Sequence, residues 1–140
     1  MSKLAYLKGK MKEYEAVGGV RLLVHLAHFC CDQALGRELV KLGLHRLLVG
    51  EIKKQDEEVK EAALAGLANL AMNSEVYDVI EIAELEQLRN SARVSTRRSA
   101  LLLLYFYQGP ETLPRLQTED EDPVCNNLLQ CIQLRQQRLR

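Results

Sequence analysis

The spacing of apolar residues constrains this chain more than any other feature. Between Lys3 and Gly109 leucine, alanine and valine recur every three or four positions, and almost no segment alternates with the period of two that a half-buried strand requires. A period near 3.6 residues places those side chains on one face of a helix, so the chain is expected to be all-α. Three prolines, no tryptophan and 5% aromatic residues suit helices better than a β-barrel. At 140 residues the sequence is long enough for one domain, and a domain of that size buries roughly two-thirds of its unfolded surface.

The breakers divide this pattern into units. Leu4, Leu7, Met11 and Tyr14 share a face in an opening amphipathic helix, residues 1–17, that ends at Gly18-Gly19. From Val20 to Cys31 the chain is apolar on nearly all sides, which predicts a helix covered by neighbours on two sides. Asp32 is placed to cap a short helix carrying Leu35, Leu39 and Leu42, and Gly43 ends it where a left-handed residue is common. Leu44, Leu47, Leu48 and Ile52 stripe the next helix, with Gly50 as a local weakness. Asp56 then caps a longer helix, Glu57 to Met72, whose acidic first turn suits the helix dipole and whose apolar face is Val59, Ala63, Leu67 and Leu70.

The order short, medium, long then recurs. Asn73 or Ser74 opens a short helix through Val76, Val79, Ile80 and Ala83; Leu85 and Leu88 mark another; Ser95 to Gln108 forms a long one ended by Gly109-Pro110. Leu44 recurs as Leu85 after 41 residues, Leu26-Ala27 as Leu70-Ala71 after 44, and Ala63-Leu64 as Ala100-Leu101 after 37. Three-helix units spaced by roughly 40 residues match armadillo and HEAT solenoids better than the two-helix tetratricopeptide period of about 34.

The run Glu57 to Ala71, EEVKEAALAGLANLA, resembles the third helix of an armadillo repeat, and Gly43-Leu44 with Leu47-Leu48 resembles the start of its second helix. The resemblance covers residues 18–109 and implies a short right-handed armadillo-like superhelix of about two full repeats plus flanking helices. It also implies a protein-binding scaffold or adaptor, whose third helices line the contact surface. Asn69 matches the family's asparagine, which holds the backbone of an extended peptide, since a carboxamide both donates and accepts. The 44- and 37-residue offsets place His25 and Phe106 at the equivalent positions, and Ala65 stands where the family carries tryptophan. With one asparagine instead of a row, a folded or helical protein partner is expected to be read by His25, Asn69 and Phe106, in preference to a long extended peptide. Tyr105, Phe106 and Tyr107 point around one helix, so at least one of them is expected to face outward unless another element covers it.

Other chemistries find less support. His25, His28, Cys30 and Cys31 lie close in sequence, but the two cysteines point about 100° apart on a helix, and no metal is expected. No nucleophile and base pair with a carboxylate, and no glycine-rich loop follows a strand, so neither catalysis nor a cofactor is expected. Nineteen basic and nineteen acidic residues cancel, which disfavours nucleic acid as a partner. The local exception is Arg89, Arg93, Arg97 and Arg98, a patch for an acidic partner or phosphate in a competing reading. In a third reading the chain is a structural subunit buried in a larger assembly. Four irregularly spaced cysteines suit a reducing compartment, and neither a signal sequence nor a membrane span is evident, so a cytoplasmic or nuclear protein is expected. Residues 110–123 read as an acidic linker, and 124–140 as an amphipathic helix with Val124, Leu128, Leu129 and Ile132 apolar, which either caps the last repeat or meets a partner.

Overall fold

A computed structural model describes residues 2–54, 56–71 and 80–108, and in these it contains seven helices and no strand. They are α1 (Lys3–Val17), α2 (Val20–Phe29), α3 (Gln33–Lys41), α4 (Leu44–Ile52), α5 (Glu57–Ala71), α6 (Ile82–Leu88) and α7 (Val94–Gln108). The short helix expected from Asn73, the linker at 110–123 and the helix at 124–140 lie outside the described residues. Among the described residues no helix is long and apolar enough to cross a membrane.

Each boundary has a local cause. The Ser2 hydroxyl accepts from the Ala5 amide and starts α1, while Gly18 and Gly19, at φ +71° and +103°, let the chain reverse into α2. Asp32 Oδ1 accepts from the Leu35 amide at 3.1 Å and starts α3; Gly43, left-handed at φ +88°, separates α3 from α4. Asp56 Oδ1 accepts from the amides of Glu58 and Val59, satisfying two of the four amides that a helix start leaves without internal partners.

The core is built around α5, which packs against α2, α3, α4 and α7, with α6 on α7 and α1 against α2 and α3. Leu64, Leu67 and Leu70 of α5 are buried with Leu23 and Leu26 of α2 and Leu44 and Leu48 of α4, and each such leucine contributes about 1.5–3 kcal/mol by leaving water. The close approach of α2, α4 and α5 depends on Gly66. A Cβ there would lie 3.0 Å from Leu48 Cδ1 and 3.3 Å from Ala27 Cβ. Every residue from Ala100 to Tyr105 in α7 is buried, as its leucine run demands. A polar tie fixes α1: the Tyr14 hydroxyl donates to Glu51 Oε2 at 2.7 Å, and Lys54 reaches the same oxygen at 2.8 Å. Burial, and then that bond, raise the pKa of the phenol.

The structure differs from expectation at α2. Only Leu23, Leu26 and Ala27 are buried in it, whereas Val24 is 50% exposed and His28 is exposed. One face of an apolar helix therefore has no cover among the described residues, because α5 takes its inner side and no described element lies over Val24.

Candidate functional site

That bare face is one wall of a groove of about 430 Å³. Val20, Val24, Ala27, His28 and Cys31 come from α2 and the turn after it; Glu58, Glu61, Ala62, Ala65 and Asn69 from α5; Arg93 and Ser95 from the start of α7. The spacing i, i+4, i+7, i+11 recurs on the first two walls, since Val20, Val24, Ala27 and Cys31 reappear 38 positions later as Glu58, Ala62, Ala65 and Asn69. That progression follows one stripe along a helix, so α5 presents a groove stripe distinct from the Leu64, Leu67 and Leu70 face that it gives the core.

The middle of the groove is apolar and shallowly floored, because Ala27, Ala62 and Ala65 end at Cβ. Its ends are polar. At one, Arg93 Nε donates to Glu61 Oε2 across the α5 and α7 walls at 2.5 Å. This bond and the charge of Glu61 push the guanidinium pKa upward, and Glu58 and Glu57 add to the effect. Glu57 is paired with Lys60. Glu58 lines the groove, exposed, and has no ion-pair partner among the described residues. At the other end lie His28, Cys31 and the half-buried Asn69, whose carboxamide makes no hydrogen bond among the described residues.

The three residues expected to form a contact row are not brought together. Asn69 lines the groove. His25 lies on another side of α2, hydrogen-bonded through Nε2 to the Tyr6 hydroxyl at 3.1 Å and edge-on to Phe29. The reason is register. The 44-residue offset came from matching the Leu-Ala pairs, whereas the groove-facing positions repeat at 38, and six residues of helix turn a side chain by about 600°, onto a different face. Cys31, in the turn just after α2 and with His28 near it in the lining, takes the place there that Asn69 takes on α5. The 37-residue offset fares differently, since it aligns Ser95 with Glu58. Phe106 falls in that register but is half-buried against the core and edge-on to buried Tyr105, outside the groove lining.

The arginine patch is spent within the fold. Arg89 is 8% exposed and bonds Glu86 at 3.3 Å. Arg93 belongs to the Glu61 pair, and Arg97 donates to the Ser91 carbonyl at 3.2 Å, holding the turn before α7. Arg98 too is engaged. Cys30 is buried, and that burial raises its thiol pKa to about 12. Among the described residues no three His, Cys, Asp or Glu side chains converge as a metal-holding group. Sequence reasoning missed Val24, His28, Cys31, Glu58, Glu61 and Ser95. The available signal was the 38-residue repeat of one helical stripe, Val20, Val24, Ala27 and Cys31 recurring as Glu58, Ala62, Ala65 and Asn69.

No family model matches this sequence, and no curated protein aligns with it significantly.

Proposed function

We propose that the chain is a small armadillo-like helical scaffold that binds another protein in the groove between α2, α5 and α7. The long helices α5 and α7, each preceded by shorter ones, support the reading, as does their packing together with α2 as adjacent walls. One observation carries it: an apolar strip with half-exposed Val24 at its centre runs towards the Asn69 carboxamide, which makes no hydrogen bond among the described residues. Apolar surface of this kind, flanked by polar groups, is the usual anatomy of a protein contact. The internal use of Arg89, Arg93 and Arg97 supports this reading over phosphate binding, because a phosphate would have to displace a carboxylate or a carbonyl.

The test pairs the wild-type chain with Val24→Asp/Asn69→Ala, both immobilised and compared for the proteins they retain from lysate. Proteins held by the wild type and lost by the variant, at an unchanged melting temperature, are the expected result. Identical retention would remove the groove as the binding surface.

A further inference from the structure

The groove also specifies what shape of occupant it takes. Along α5 the lining runs from Glu58 to Asn69, eleven steps along the helix, which at 1.5 Å per residue is about 16 Å. An extended segment of that length has about five residues, each bringing an amide and a carbonyl that need partners once water is displaced. The side chains over the middle of the groove are Val24, Ala27, Ala62 and Ala65, none of which bonds to a peptide group. Side chains that both donate and accept stand towards the ends of the lining, Asn69 and His28 at one and Ser95 at the other, and none of the three has a hydrogen bond to give up among the described residues. An extended occupant would leave its central peptide groups unpaired, at a cost of about 1–3 kcal/mol each. A helix satisfies those groups internally and offers the floor an apolar stripe. Alanines ending at Cβ leave room for its side chains.

Charge sets the orientation. The lining holds two carboxylates against one guanidinium, and Arg93 is committed to Glu61. That leaves Glu58 as the carboxylate of the lining with no ion-pair partner among the described residues, since Arg93, close enough to feel its charge, is held by Glu61. We infer that the groove receives one amphipathic helix of a partner protein, about three turns long, with its apolar stripe over Val24, Ala62 and Ala65 and a lysine or arginine seated at Glu58. This rests on the groove being the binding surface, and the experiment separates the two.

A phage-displayed library of random peptides of about sixteen residues, long enough for the groove and flanks, is selected against the wild-type chain. Selected peptides are then measured as synthetic probes against three variants: Glu58→Lys, which reverses the charge; Ala65→Trp, which fills the floor; and Val24→Asp, an exposed change that tests the same floor should Ala65→Trp not fold. Apolar residues at helical spacing with a basic residue towards one end are expected. Their affinity should fall by roughly tenfold or more on Glu58→Lys, tenfold being the low end for close charge pairs at an interface, and recover when the peptide's basic residue is replaced by glutamate. Both floor variants should abolish binding. Peptides sensitive to the floor variants but indifferent to Glu58→Lys, or rich in proline, overturn the helix and its cation and leave the groove standing. A selection that yields no binder, or only binders indifferent to both floor variants, overturns the groove and the inference together.

Discussion

Gly66→Ala sets two effects of known size against each other in the middle of α5. Alanine in a helix interior is favoured over glycine by about 1 kcal/mol, so an isolated helix would gain. Here the new methyl would lie 3.0 Å from Leu48 Cδ1 and 3.3 Å from Ala27 Cβ. Leu48 is fully buried, so its side chain has little free volume to rotate into, and the Ala27 methyl moves only if α2 moves. Overpacking of this kind costs about 1–3 kcal/mol, and the clash outweighs the propensity, leaving a net loss of about 1 kcal/mol. At this chain length that is a fall of roughly 3–5 °C in melting temperature. The decisive measurement is a double-mutant cycle with Leu48→Val, which removes the atom at 3.0 Å. In that background Gly66→Ala should be nearly neutral, a coupling of about 1 kcal/mol. Thermal melts followed by far-UV circular dichroism, with urea midpoints as a check, supply all four corners. If Gly66→Ala raises the melting temperature equally in both backgrounds, α2, α4 and α5 do not meet as described.

Tyr14→Phe removes a part-buried bond to a carboxylate, and because Lys54 still pairs with Glu51 the loss should be near the lower end of about 1.5–3 kcal/mol, read by urea denaturation. Asp56→Ala leaves two amides of α5 without their cap and should cost about 1 kcal/mol, whereas Asp56→Asn should restore most of it. Iodoacetamide at mildly alkaline pH should label exposed Cys31 and spare buried Cys30 until denaturant is added, which peptide mass spectrometry resolves. The folded pKa of Cys30 is raised, so its contribution to stability is intact below the ordinary thiol value of 9.0 and is lost as pH climbs towards about 12. Cys30→Ala should flatten the alkaline limb of the stability profile.

Helix positions were readable because caps and breakers act locally: Asp32, Gly43 and Asp56 each work within a few residues. Leu7, Met11 and Tyr14 show the same for faces, since one covered side leaves an unambiguous stripe. The groove was legible only in part. Asn69 could be placed because α5 carries the fullest motif, but the equivalent position on α2 could not. Leu26-Ala27 and Leu70-Ala71 look alike as pairs of core residues and yet occupy different angular positions relative to the groove. Nor could the sequence show that Val24 is half-exposed, because exposure belongs to the arrangement of neighbours. Arg89 and Arg97 misled for a related reason, since local spacing shows where cations gather and not whether Glu86 or the Ser91 carbonyl has already engaged them.

The two stripes of α5 have an evolutionary consequence. Leu64, Leu67 and Leu70 hold the scaffold, while Glu58, Ala62, Ala65 and Asn69 shape a surface that the packing beneath them scarcely constrains at Glu58, Ala65 and Asn69. On the proposed function, selection can therefore rewrite partner choice one residue at a time without passing through an unfolded intermediate. Growth of a side chain at Ala65 would make the trough shallower, and loss of charge at Glu58 would remove the group proposed to seat a ligand's cation. A lineage carrying this helix is free to change what it recognises while keeping what it is.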